Sequence, residues 1–180
     1  MRATPGPPDP FSVRRNKKYN TSMSRPALSI RQSRAEDSEV LYEIDRICFP
    51  EDIAFSREDL IAWLNHPEST AWLAERTGRI LGFVLARIDN QSCAHVLTLD
   101  VLPSARKRKV GTMLMKELHA ELLRRKIRLS FLEVAVHNIP AQRLYEQLKY
   151  RYMGTLPGYY RGREDAYRMV CQIESPDTSN

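Results

Sequence analysis

Few side chains in this sequence are placed to do chemistry, and each has a plain structural role competing with it. Glu133 interrupts the apolar run Phe131-Leu132-Glu133-Val134-Ala135-Val136. A carboxylate in such a run must be paired, hydrogen-bonded or at an open strand end. Burial there predicts a raised proton affinity, suited to a general base. A satisfied structural glutamate is the competing reading. Tyr145 lies in a helical pattern after Asn138. It is either an aromatic packed on the sheet or a phenol that can donate a proton. Tyr159 and Tyr160 sit between Gly158 and Gly162, as a binding lip or as an ordinary hairpin loop.

A fourth candidate is a junction. An apolar, β-branched run ends at Val101 and Pro103 stops it. Arg106, Lys107, Arg108 and Lys109 follow, then Val110, Gly111 and Thr112. Beyond lies a helical pattern with apolar Val110, Met113, Leu114, Leu118, Leu122 and Leu123. The first N–H groups of a helix have no intrahelical partners and carry partial positive charge. A phosphate fits there, with the cations around it. The alternative is a solvated charge run capping an amphipathic helix.

Other chemistries lack their patterns. The four histidines (His66, His95, His119, His137) show no metal spacing. His95, on the strand before the basic loop, reads as facing a ligand or as a packed strand residue, and His119 as an exposed one on the long helix. The sequence has no G-x-S-x-G, no complete Walker loop and no H-E-x-x-H.

Alternating and helical patterns supply the scaffold. Ala27 to Gln32 reads as a first strand. Ser33-Arg34-Ala35-Glu36 reads as a capping box. It opens a helix with Val40, Leu41, Ile44, Ile47 and Cys48 on one face, ended by Pro50. A short helix runs from Ser56 to Trp63. Thr70 to Glu75 and Ile80 to Ile88 are strands joined at Arg76-Thr77-Gly78-Arg79. Asp89 to Ser92 is a turn, and Cys93 to Val101 the next strand. Ile127 to Val136 is a central strand. Asn138 caps a helix whose first turn tolerates Pro140. Arg151 to Leu156 and Ala166 to Ile173 close the pattern. The order β-α-α-β-β-β-α-β-α-β-β implies one mixed sheet covered by helices.

The chain has 180 residues, 42% of them hydrophobic and 28% charged, as expected of one globular domain with tails. The net charge of +6 is concentrated at the start. There Arg2, Arg14, Arg15, Lys17, Lys18 and Arg25 oppose only Asp9. Residues 1–26 therefore read as a disordered, basic, proline-rich tail, 27–173 as the domain and 174–180 as a second tail. No apolar run is long enough for a membrane span. Cys48, Cys93 and Cys171 are scattered and odd in number, which points to a reducing cytoplasm rather than a disulfide framework.

Three segments together resemble the GNAT superfamily of acetyl-coenzyme A-dependent N-acetyltransferases. The stretch V-L-P-S-A-R-K-R-K-V-G-T-M-L-M from Val101 is similar to its pyrophosphate loop. L-E-V-A-V-H-N-I-P-A-Q-R-L-Y-E from Leu132 is similar to its second conserved block. G-Y-Y-R-G-R-E-D-A-Y-R-M from Gly158 is similar to the C-terminal motif of the superfamily's N-terminal acetyltransferases. The likeness is strongest to ribosomal-protein-alanine and archaeal N-terminal acetyltransferases. Two residues depart from the pattern, Lys109 at the usual first loop glycine and Lys149 at the usual glycine after Leu148.

The resemblance implies an α/β (α+β) fold, with a mixed, mostly antiparallel central sheet, two splayed strands and four flanking helices. It implies acetyl-coenzyme A as co-substrate and no metal. Leu99, Asp100 and Val101 would hold the pantetheine arm. Arg106, Lys107, Arg108, Lys109, Val110, Gly111 and Thr112 would hold the pyrophosphate, and Asn138 and Ala141 would line the far side. Glu133 matches the family's general base and Tyr145 its general acid. Phe49, Pro50 and Glu51 would face Tyr159 and Tyr160 across a peptide slot, in which Glu51 attracts a protonated amine. The implied acceptor is a protein or peptide N-terminus, with ribosomal proteins among the candidates. Acetylation of small amines or lysine side chains is the nearest rival. A nucleic-acid-binding protein or an inactive acetyl-coenzyme A sensor is more remote.

Overall fold

The computed structural model describes residues 27–89 and 92–174. The expected basic tail, the centre of the Asp89–Ser92 turn and residues 175–180 lie outside them.

Seven strands and four helices follow in the expected order. They are β1 (Ser29–Gln32), α1 (Ser38–Cys48), α2 (Arg57–Leu64), β2 (Ser69–Arg76), β3 (Arg79–Asp89) and β4 (Cys93–Val101). Then come α3 (Val110–Arg124), β5 (Leu129–Ala135), α4 (Ile139–Gln147), β6 (Arg151–Tyr160) and β7 (Glu164–Gln172). Among the described residues no helix is long and apolar enough to cross a membrane.

Local chemistry explains most boundaries. Thr77 and Gly78 both have positive φ (51° and 74°), the geometry of a two-residue hairpin turn between β2 and β3. The Ser56 side chain accepts the Asp59 N–H and starts α2. Asn138 accepts the Ala141 N–H at 3.2 Å and starts α4. The start of α1 differs from expectation. A short 3-10 turn, Ala35–Asp37, precedes it, and the capping carboxylate is Asp37 rather than Glu36. Asp37 accepts the Arg34 N–H at 2.7 Å and both Arg31 amino groups at 2.8 Å. This bidentate grip from β1 holds Asp37 and leaves Glu36 at the surface.

One seven-stranded sheet runs β1-β2-β3-β4-β5-β7-β6. Every neighbouring pair is antiparallel except β4–β5. This is the mixed sheet the sequence implies. Buried Leu41 and Ile44 of α1 and Leu60 of α2 pack with the sheet's Leu73, Phe83 and Leu85 in one apolar core, which also takes in Leu114, Leu118 and Leu122 of α3.

Two features of register position the site. Thr98 pairs with Leu85 but Val96 pairs with Ala86, so Leu97 is an extra residue in β4. This bulge resets the alternation. His95, Thr98 and Asp100 consequently share the face that α1 covers, while Leu99 and Val101 turn towards α3. Second, β6 is longer than expected and carries the two tyrosines at its end rather than in a loop. Between the pairs Leu156↔Ala166 and Tyr160↔Glu164, three residues of β6 oppose one of β7. Gly158, at φ 61°, forms this bulge, and its N–H bonds Asp165 Oδ1 at 2.8 Å. The strand therefore resumes after Pro157 instead of ending there.

Candidate active site

β4 and β5 pair over four positions only, Cys93↔Leu129 to Val96↔Leu132. Beyond them β4 stays paired to β3 as far as Val101, and β5 to β7 as far as Ala135. The two strands therefore diverge and leave a gap. At its lip a Cβ on Gly82 would fall 2.3 Å from the Asp100 carbonyl, so only glycine fits opposite Val101. The Asp100 carbonyl thus points to β3, and alternation along the strand turns the peptide groups of Leu99 and Val101 into the gap. The Val101 carbonyl accepts Arg106 Nε at 3.1 Å. The Asp100 side chain does not face the gap. It is buried and meets Asp45 of α1.

At the gap's far end α3 begins. Among the described residues, no backbone acceptor meets the N–H groups of Lys107 to Thr112, and the ladder starts with Met113 N–H to the Lys109 carbonyl at 3.0 Å. Lys107 and Lys109 have φ of 59° and 62°. The glycine-like geometry at Lys109 is therefore real, and the lysine side chain adopts it at roughly 1 kcal/mol of strain. Gly111 faces α4, where a Cβ would come within 3.0 Å of Leu144 Cδ1. These donors and exposed cations suit a diphosphate.

On the α1 face, β4, β5 and β7 bring together residues that sequence spacing keeps apart. Glu133 Oε2 lies 2.6 Å from His95 Nε2 and accepts the Tyr159 hydroxyl at 3.2 Å. Glu133 Oε1 accepts Arg168 Nε at 2.9 Å, with Arg168 Nη2 also 2.9 Å away. The Glu133 side chain is 4% exposed. Burial favours its neutral form, as expected from the sequence. The hydrogen bonds and charges of His95 and Arg168 outweigh burial and hold the carboxyl below its usual range. Glu133 is therefore an ionised acceptor at neutral pH, not a raised-affinity acid. His95 also stacks on Phe131, 4.4 Å between ring centres. Arg168 is not among the residues expected at the site, and His95 faces the glutamate rather than only packing in its strand. The available signal was an arginine in Ala-Tyr-Arg-Met-Val opposite a glutamate in Leu-Glu-Val, two charges in adjacent apolar strands.

Tyr145, on α4, is 7% exposed, and its ring lies 5.7 Å from that of Tyr150. Burial holds its hydroxyl well above the usual phenol range, so it keeps its proton. Among the described residues that hydroxyl has no hydrogen-bond partner. Tyr150 is anchored behind it by Ser130 Oγ at 2.8 Å and His119 Nε2 at 3.0 Å. His119 is thus partly buried rather than exposed, and burial lowers its proton affinity to a pKa of about 4. Lys149, at φ 71°, supplies the left-handed residue that ends α4.

Phe49, Pro50 and Glu51 form the turn after α1, on the same sheet face as Glu133. The turn is tied down by buried Asp45, whose Oδ2 accepts the Phe55 N–H at 2.8 Å. Asp45 meets the buried Asp100, which accepts the Thr98 hydroxyl at 2.6 Å. Burial, reinforced at Asp100 by the Asp45 charge, raises the proton affinity of both acids. Cys48 beside them is pushed up to about 11 by burial and then by the Asp100 charge. Tyr159 is 44% exposed and stands edge-on to Tyr160, their centres 5.1 Å apart. Burial pushes both phenols up to about 12. A separate cavity of about 600 Å³ lies between α4 and β6–β7, lined by Glu146, Tyr152, Tyr167 and Met169. It opens on the opposite face from Glu133, because Tyr167 and Met169 flank Arg168 along the strand.

A split sheet with free N–H donors at the start of α3 suits an acyl-transfer enzyme. Residues 38–150 match the Acetyltransferase (GNAT) family, and the chain belongs to that family. More particularly, it is 29% identical over 163 residues to an N-alpha-acetyltransferase of Sulfurisphaera tokodaii, covering 80% of this chain and 92% of that one. Among solved structures it resembles the Escherichia coli ribosomal-protein-S18-alanine N-acetyltransferase in fold, with a TM-score of 0.76 and 22% identity, over 86% of this chain and 99% of the other. It also resembles Arabidopsis thaliana NAA60 in complex with acetyl-CoA, with a TM-score of 0.72 and 26% identity, over 83% and 100% of the two chains.

Proposed function

We propose that this acetyltransferase acts on the α-amino group of a protein or peptide N-terminus. The observation that carries the reading is the division of labour across the gap. An ionised carboxylate, Glu133, lies on the α1 face, and a protonated phenol, Tyr145, lies on the helix opposite. The N-alpha-acetyltransferase relatives support the choice of acceptor.

The residues present fit acetyl-coenzyme A, which would supply the activated acetyl thioester. The free N–H groups of Lys107 to Thr112 and the cations Arg106 to Lys109 would hold its diphosphate. The inward peptide groups of Leu99 and Val101 would hold the arm, with Asn138 and Ala141 beyond. Glu133 takes a proton from the incoming ammonium, directly or through a water. Tyr145 holds a proton on the other side, where a leaving thiolate can take it. Tyr159, Tyr160 and the Phe49–Glu51 turn flank the acceptor, and Glu51 adds negative charge that attracts an ammonium. Ribosomal proteins are candidate acceptors. The three free cysteines fit a reducing compartment such as the cytoplasm.

The test is an acetylation screen over N-terminal peptides and small amines, read by thiol release. Turnover is expected with peptides. Turnover confined to small amines overturns the reading.

A further inference from the structure

We infer that Arg168 selects acceptors whose first residue carries a carboxylate, an inference that rests on the peptide reading above. Arg168 uses one edge of its guanidinium on Glu133 Oε1, through Nε and Nη2. Its Nη1 has no partner among the described residues. The side chain is 40% exposed, although its strand neighbours Ala166, Met169 and Cys171 are buried. It is also held in place from the side. The guanidinium carbon lies 5.6 Å from the centre of the Phe131 ring, which itself stacks on His95. The free edge is therefore a fixed feature of the acceptor face.

The space beside it is open. Directly across on the edge strand β6 stands Gly154. A Cβ there would meet nothing within 4 Å. Among the described residues the only ion pair of Arg168 is with Glu133. Asp165, nearby on the same strand, is already engaged by the Gly158 N–H. An open shelf thus runs beside a guanidinium that still offers hydrogen-bond donors.

The chemistry of the occupant follows. A guanidinium edge is best matched by a carboxylate, which accepts its donors in one plane. The position within the acceptor follows as well. Arg168 touches the carboxylate that receives the acceptor's proton, so its free edge lies beside the reacting nitrogen. The first side chain of a peptide is the one attached nearest that nitrogen. Aspartate or glutamate at the first position would place an anion on the shelf, while Glu133 keeps its own partners.

The experiment compares kcat/KM for peptides that differ only at the first residue: Asp, Glu, Ser, Ala and Met. Acid-first peptides are expected to exceed Ser-first and Ala-first ones by about tenfold. In Arg168→Gln that preference is expected to vanish. Gly154→Glu keeps Arg168 and Glu133 in place but sets a carboxylate on the shelf. It is expected to lower acid-first kcat/KM about tenfold and leave Ser-first kcat/KM within about twofold. Equal rates whatever the first residue, or an Arg168→Gln loss shared equally by all peptides, would reduce Arg168 to a clamp on Glu133 and overturn this inference alone. Turnover of small amines and of no peptide would overturn both it and the function it rests on.

Discussion

Replacing Glu133 by glutamine removes the proposed base with little change of shape. Four contacts determine what else changes. Oε1 faces the Arg168 donors at 2.9 Å, while Oε2 faces His95 at 2.6 Å and the Tyr159 hydroxyl at 3.2 Å. A glutamine has one acceptor and one donor end. Keeping its oxygen on Arg168 points its amide N–H groups at His95, which accepts through Nε2 in the tautomer protonated at Nδ1. Tyr159 loses its acceptor but is partly exposed and turns to water. The freed charge of Arg168 is partly exposed too, so the loss of stability is about 1–2 kcal/mol. The kinetic loss is larger, since a positioned general base contributes about 10²–10⁴-fold. Turnover is therefore expected to fall at least about 100-fold while acetyl-coenzyme A binding is nearly unchanged. Thiol release at saturating co-substrate reads the first quantity and titration calorimetry the second. The stability difference also has a sign in pH. Glu133 has a depressed folded proton affinity, so its contribution is full above the unfolded carboxyl pKa and fades as pH falls through the folded one. Wild type and variant should converge in melting temperature in acid. Turnover within threefold of wild type, in a folded variant that binds co-substrate, would refute the base assignment.

Tyr145→Phe removes a hydroxyl with no internal hydrogen bond, so melting should be unchanged while kcat falls more than KM rises; a change in KM alone contradicts the acid role. Lys109→Gly relieves a left-handed lysine worth about 1 kcal/mol and should raise Tm by about 2–4 °C, yet weaken acetyl-coenzyme A binding through the lost cation. A lower Tm would show that the loop conformation is not strained. Asp100→Asn should raise Tm at neutral pH. An acid with a raised folded proton affinity loses stability as pH rises from its unfolded pKa towards its folded one, and asparagine is free of that loss. Thermal melts across pH check this, and identical curves would mean the Asp45–Asp100 pair titrates normally.

Most of the scaffold was legible because its cues are local. Turn residues such as Thr77-Gly78, the cap at Asn138 and the stop at Pro103 act within a few positions, and they placed the elements in order. Lys109 and Lys149 stand where the resemblance expects glycine, and both adopt the left-handed conformation that glycine favours. What escaped depends on register. His95 and Arg168 meet Glu133 across 38 and 35 residues of chain, and Leu97 decides which face His95 occupies. A one-residue bulge leaves no clear mark in the pattern of Cys93 to Val101. The fate of Glu133 was misjudged for the same reason. Burial could be read from its apolar neighbours, but the two partners that reverse its effect could not. Asp100 stands inside the strand Cys93–Val101, and only the packing of α1 shows its side chain to be interior.

The four rungs between β4 and β5 make the sheet two slabs, β1 to β4 and β5 to β6, with a hinge where a continuous ladder would be stiff. The backbone amides of Leu99 and Val101 should exchange with solvent faster than those of the flanking strands. A molecule lodged in the seam would clip the slabs together, and the stiffening would grow with its concentration as RT ln(1 + [L]/Kd). Resistance to heat and to proteases thus becomes a gauge of co-substrate supply. In a cell drained of acetyl donors, this protein would be the looser and shorter-lived form of itself.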